Sequence, residues 1–232
     1  MKKENILEAK NITVSFGGEK VINNISFDLK DKENLVVVGP NGAGKSVLLK
    51  TLLGTTPYEG QINWKKDIKI GYVPQRFVQE KDLPLTVEDF FKFKKISINQ
   101  IHESLCSVGL HDLSILKKKM GVISSGQLQR ILIAWGLINN PDILLFDEPT
   151  TGIDIEGEET IYNLIAKLEK EKNLTMILIT HDLNIVYKFA DSVLCLNKKM
   201  ICYGPAQSTI NEKSLNELYG GDIKLHKHTH EF

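Results

Sequence analysis

Arginine is nearly absent from this 232-residue chain. Of its 29 basic side chains only Arg76 and Arg130 are arginines, so bidentate clamping of anions is confined to two places at most. A net charge of one sign is absent too. The 29 acidic side chains balance the basic ones, which argues against a protein that holds nucleic acid through its overall field and leaves open only a local basic patch. Long hydrophobic runs are missing. The longest, Ile131 to Ile138, falls far short of the roughly 18–20 residues that a spanning helix needs. The charged start, Met-Lys-Lys-Glu-Asn, has no apolar stretch behind it such as a secretory leader carries. Cysteine is scarce: Cys106, Cys195 and Cys202 are odd in number and lack metal-ligand spacing, which suits a reducing cytosol. Cys195 and Cys202 fall on neighbouring predicted strands and read as buried apolar residues. The expectation is a cytoplasmic chain for which any membrane role requires a partner.

What is present is an ordinary globular composition, 42% hydrophobic and 25% charged, in a chain long enough for one domain with an inserted lobe. Ile12–Phe16 and Ile25–Leu29 alternate with period two, and Leu35–Val38 is a continuous apolar run suited to a strand buried on both faces. Residues 45–53 read as a helix closed by Gly54, and short strands are expected over 61–64 and 68–73. From Thr86 the pattern turns helical. Thr86 with Asp89 forms a capping signal, Ser97 can cap a second helix that Gly109 ends, and residues 125–139 read as a long helix stopped by Pro141. After Pro141 strands and helices alternate again, which predicts a mainly parallel α/β sheet. The expected division is one domain, with a core in 1–75 and 141–220, a helical insertion in 76–140 and a tail in 221–232.

Gly39-Pro40-Asn41-Gly42-Ala43-Gly44-Lys45-Ser46 fits Gly-x-x-x-x-Gly-Lys-Ser/Thr between a buried strand and a helix. The glycines let backbone amides turn onto phosphate oxygens, and the helix N-terminus adds a favourable dipole. Lys45 supplies a point charge to the β- and γ-phosphates, and the Ser46 hydroxyl can bind Mg²⁺. A nucleoside triphosphate site is expected here. Ile143-Leu-Leu-Phe-Asp147-Glu148 is an apolar strand ending in two carboxylates at the sheet edge where ligands bind. Asp147 is placed to hold Mg²⁺ or its water, and Glu148 to polarise an attacking water.

Several motifs, in order and at matching spacing, resemble those of the ATP-binding subunits of ABC transporters over residues 5–220. Gln75 resembles the Q-loop glutamine, and Ile123-Ser124-Ser125-Gly126-Gln127 the signature otherwise written Leu-Ser-Gly-Gly-Gln. Thr151-Gly-Ile-Asp154 resembles the D-loop, His181 the switch histidine, and Phe16 the aromatic residue that stacks on adenine. The resemblance implies a P-loop, RecA-like α/β core with an N-terminal antiparallel β part and an inserted helical subdomain. It implies ATP hydrolysis with Mg²⁺ in a head-to-tail homodimer. Ser124, Ser125, Gly126 and Gln127 of one copy then meet the γ-phosphate held by the other. Glu148 is implied as base, His181 as γ-phosphate and water aligner, Lys45 as phosphate ligand, and Ser46, Asp147 and Gln75 as the Mg²⁺ set. Three positions depart from the family pattern. Ser125 replaces a glycine, Val47 replaces a threonine while keeping its backbone amide, and Phe16 replaces the commoner tyrosine.

The stretch 120–154 with Thr180-His-Asp-Leu183 looks most like the ATPases of zinc and manganese uptake systems. That resemblance implies import of a metal cation through integral membrane permease subunits, served indirectly by an extracytoplasmic metal-binding receptor. It places the chain on the cytoplasmic face of the cell membrane, with no nucleic-acid partner. The same motifs would serve a cytosolic assembly ATPase or the motor for another cargo. Independently, His226, His228 and His230 put three of the six histidines on one face of an extended tail, where imidazole suits Zn²⁺ over Mn²⁺.

Overall fold

The computed structural model describes residues 4–75, 77 and 82–221. In chain order the first elements are β1 (Asn5–Phe16), β2 (Glu19–Lys30), β3 (Asn34–Val38), α1 (Lys45–Leu52), β4 (Glu59–Trp64) and β5 (Ile70–Val73). A helical stretch follows, with α2 (Val87–Lys92), α3 (Ile98–Ser107), short 3-10 turns at Leu113–Lys117 and Met120–Val122, and α4 (Ser125–Gly136). Alternation resumes with β6 (Ile143–Asp147), α5 (Ile155–Lys172), β7 (Thr175–Ile179) and α6 (Leu183–Phe189). The last elements are β8 (Ser192–Asn197), β9 (Lys199–Pro205), α7 (Ala206–Thr209) and α8 (Glu212–Tyr219). The described residues form two compact units, 4–65 with 179–221 and the part within 66–178.

In the first unit β2, β1 and β4 make an antiparallel sheet in that order. β1 and β2 run longer than their alternation in sequence suggests, because bulges break the two-residue period. Asn11 and Asn24 sit at those irregularities with φ of 54° and 51°. Their amides donate to Ser26 Oγ at 2.8 Å and Thr13 Oγ1 at 3.0 Å, which meets the hydrogen bonds the bulged ladder loses. The same unit holds β3, β8 and β9 as neighbours, β3 parallel to β8 and β8 antiparallel to β9. All five residues of β3 are buried, as its unbroken apolar run predicts.

In the second unit β5, β6 and β7 are neighbours, with β5 parallel to β6. Thr86 with Asp89 and Ser97 with Gln100 form reciprocal capping boxes at the starts of α2 and α3. α4 ends at Gly136, before the residues over which the sequence pattern extends it. Asn139 and Asn140 adopt left-handed φ of 67° and 48°, so the chain has turned before Pro141. A close approach fixes that end: a Cβ built on Gly71 of β5 would lie 2.4 Å from the Gly136 carbonyl oxygen. Arg130 on α4 donates to the Val108 carbonyl at 2.5 Å. One of the two arginines therefore closes the end of α3, while Arg76 lies outside the described residues.

The cysteines need correction. Cys195 and Cys202 are not simply buried apolar residues but a disulfide across β8 and β9. They are directly opposed in the ladder. Their pairing depends on a tight turn at Lys198 (φ 58°) and a bulge beside Cys195, and neither the turn nor the bulge can be read from the spacing of two cysteines.

Candidate nucleotide site

The buried β3 delivers the glycine loop at its carboxyl end. At Gly39 a Cβ would lie 2.0 Å from the Leu196 carbonyl oxygen of β8, so only glycine fits there. Gly42 and Gly44 take φ of 78° and 98°, a region closed to most side chains, which lets successive amides face one way. Lys45 is buried. Its ammonium donates to the Gly39 carbonyl at 2.8 Å and the Pro40 carbonyl at 3.1 Å, and the Ala43 amide returns to the Pro40 oxygen at 3.2 Å. Asn41 is exposed on the loop, and Ser46 and Val47 lie in the first turn of α1. Gly44 is the N-cap of that helix and has no side chain to place over its amides. The loop is thus built to present main-chain donors and one ammonium to an anion.

The same unit places His181 nearby along the strands. The Thr180 amide donates to the Val37 carbonyl at 3.3 Å, so the exposed His181 leaves its strand beside the segment that leads into Gly39. Asp182 then caps α6 through the Asn184 amide at 2.8 Å. Phe16 ends β1 with half its surface open, ahead of a turn through Gly17 and Gly18 at φ of 56° and 86°.

The second unit assembles the carboxylates. Asp147, the last residue of β6, is buried and accepts from the Tyr72 hydroxyl at 3.4 Å. Burial and the Asp147 charge push the Tyr72 phenol up to about 12, so it stays a donor at neutral pH. Glu148 follows with φ of 46°, a left-handed conformation that is uncommon for a residue other than glycine, asparagine or aspartate. Its Oε2 accepts from Gln75 Nε2 at 2.7 Å and from the Thr151 hydroxyl at 3.3 Å, and Gln75 also reaches that hydroxyl at 3.4 Å. Gln75, Glu148 and Thr151 therefore form a closed triangle at the end of β6. Asp154 caps α5 through the Gly157 amide at 2.9 Å. Ser124 caps α4, its Oγ accepting from the Gln127 amide at 3.4 Å. Ser125 is exposed, and a Cβ on Gly126 would meet open space.

Tyr72 and Thr151 carry no role in the sequence reading. Tyr72 leaves no signal, since its hydroxyl meets a carboxylate 75 positions away. Thr151 lies inside a recognised motif, which names the segment but not its hydrogen bonds. Ser46, Asp147 and Gln75 offer hard oxygen donors, the chemistry Mg²⁺ selects when phosphates and water complete its shell. Among the described residues no group of three or more His, Cys, Asp or Glu is placed to hold a metal ion. His226, His228 and His230 lie outside the described residues.

The buried strand, glycine loop and helix of the first unit define a P-loop nucleotide-binding protein. Residues 22–151 match the family model described as ABC transporter. The chain is 38% identical to the zinc import ATP-binding protein ZnuC of Wigglesworthia glossinidia brevipalpis, over 98% of this chain and the whole of that protein (100%). It is 37% identical to the protein of the same name from Pasteurella multocida, over 97% of this chain and 88% of that one. Among solved structures it is similar to a dimeric bacterial ABC transporter cassette, at TM-score 0.74 and 27% identity over 86% of this chain and 98% of that one. Another is cbiO1 of Clostridium perfringens, part of the ABC transporter complex cbiONQ, at TM-score 0.75 and 25% identity over 93% and 94% of the two chains. The chain belongs to the ABC transporter family, as one of its ATPases. Its core is a P-loop α/β fold with N-terminal antiparallel strands and a helical insertion.

Proposed function

We propose that this chain is the motor of a metal-cation import system, hydrolysing ATP to power passage of zinc or manganese through separate membrane permease subunits. The observation that carries this reading is end-to-end similarity to proteins named for zinc import. Among the described residues no helix is long and apolar enough to cross a membrane. The reading places the chain on the cytoplasmic face of the membrane, with an extracytoplasmic receptor delivering metal to the permease.

In this mechanism the amides of residues 39–47 and Lys45 hold the phosphates, and Phe16 stacks on adenine. Ser46, Asp147 and Gln75 would hold Mg²⁺, which would neutralise phosphate charge when bound. Glu148 takes a proton from the attacking water, and Gln75 and Thr151 hold its carboxylate in place. His181 aligns that water and holds the γ-phosphate. The site is completed by Ser124, Ser125, Gly126 and Gln127 of a second copy, where the start of α4 favours negative charge, and Asp154 lies at that junction. The His226, His228 and His230 imidazoles are proposed as a separate Zn²⁺ contact.

Gly126 gives a test of the two-copy site. Alanine there adds a methyl to open space in its own chain and replaces a poor helix former by a good one. Gly126→Ala is expected to keep the urea midpoint and nucleotide binding of the single chain. Its turnover is expected to fall by about tenfold or more, because the methyl intrudes where a partner's phosphate must approach. Full turnover would remove the signature from the site. For the transport role, the chain carrying Glu148→Gln is loaded with ATP and recovered from membranes of its source. A copurifying polytopic membrane protein supports the motor reading, and a soluble partner alone overturns it.

A further inference from the structure

The β8–β9 hairpin carries a feature that hydrolysis does not use. Cys195 is fully buried on β8, and Cys202 is half-buried on β9. The two are opposed in the antiparallel ladder, with Cα atoms 4.8 Å apart, within the range a disulfide spans. Among the described residues no third His, Cys, Asp or Glu joins them as a metal set, which leaves thiol–disulfide chemistry.

This hairpin is the wall behind the phosphate loop. The residue after Cys195, Leu196, has the carbonyl that a Cβ on Gly39 would strike. The turn residue Lys198 donates its amide to the Ala43 carbonyl at 3.0 Å, inside the loop. The Lys198 carbonyl accepts from the Asn23 amide at 2.7 Å, and its side chain reaches Glu19 at 2.9 Å. The ladder is irregular at that point, with a bulge between Cys195 and Leu196. The bulge weakens the hydrogen-bonded register where the loop leans on it, and a cross-strand covalent bond restores it.

We infer that Cys195 and Cys202 form a reversible redox site that tunes nucleotide binding, with a low-molecular-weight disulfide as its oxidant. The Cys202 thiolate, reachable from solvent, attacks one sulfur of that disulfide; its S–S bond breaks and one small thiolate leaves. The Cys195 thiolate then attacks the Cys202 sulfur of the mixed disulfide and releases the second small thiolate. The two protein thiols have lost two protons and two electrons, and the oxidant has become two thiols. A small dithiol reverses the exchange. In the oxidised state the wall is fixed before nucleotide arrives, so less ordering accompanies binding.

The test uses the full chain with Cys106→Ser, which removes the exposed third thiol and the cross-links it could form between molecules. Samples are equilibrated in buffers of oxidised and reduced glutathione. Free thiols are counted by acid quench, alkylation in denaturant and mass, so that the buried Cys195 is reached, and the Kd of a fluorescent ATP analogue is measured on each folded sample. The expected result is loss of both alkylatable thiols in oxidising buffer and a Kd about 3- to 10-fold lower than in the reduced sample. Adding Cys202→Ser is expected to abolish the redox response. The comparison of oxidised with reduced protein of one sequence does not depend on that variant folding. Two alkylated thiols in every buffer, or a disulfide that leaves Kd unchanged, overturns the inference.

Discussion

Glu148→Gln is expected to lower steady-state hydrolysis by about 10²- to 10⁴-fold, the range over which a positioned general base acts, while ATP still binds. The substitution is nearly isosteric. A glutamine carbonyl at the Glu148 Oε2 position still accepts from Gln75 and Thr151, whose hydrogen bonds to that atom measure 2.7 and 3.3 Å. What disappears is the negative charge and the proton acceptor. The phosphate loop lies on another part of the chain and is untouched, so affinity persists and a nucleotide-bound pair of chains accumulates. Phosphate release and size-exclusion elution with ATP measure the two halves of this expectation. A variant that hydrolyses at the wild-type rate would take Glu148 out of the chemistry.

Gly39→Ala carries the second large effect, on folding and binding together. The new methyl would stand 2.0 Å from the Leu196 carbonyl oxygen and 3.1 Å from its carbon. Both are main-chain atoms of a strand buried at that point, so no side-chain rotation relieves the clash. Either the loop or β8 must move, at a cost of about 3 kcal/mol or more, the upper part of the range for overpacking. Displacement also breaks the bond from Lys198 to Ala43. The expected result is a lower urea midpoint together with loss of nucleotide binding. A variant with native midpoint and native Kd would mean that the loop does not need its approach to β8. Gly126→Ala serves as the contrast, since that methyl meets nothing in its own chain.

Much of the site is legible because its determinants are local. The phosphate loop needs glycines at particular steps, a lysine and a hydroxyl within eight consecutive residues, and β3 and α1 stand where the flanking pattern puts them. Helix starts are legible for the same reason. Thr86 and Ser97, the two capping signals in the sequence, each cap a helix by a hydrogen bond to the amide three residues on. Helix ends and strand lengths are less so. α4 stops at Gly136 because its last turn meets Gly71 on β5, a contact between distant segments, and β1 continues past its apolar alternation by bulging.

The sequence by itself determined the class of chemistry: a loop for a triphosphate, a strand ending in Asp147 and Glu148, and a chain without a membrane-spanning run. Only the tertiary structure decided which groups hold one another. Gln75 meets Glu148 across 73 positions, Tyr72 meets Asp147 across 75, and Leu196 closes on Gly39. Cys195 meets Cys202 only because a turn and a bulge set the register of two strands. Such pairings depend on strand order and register, which arise from packing over the whole chain, whereas loop and cap motifs are satisfied by neighbours within a few bonds.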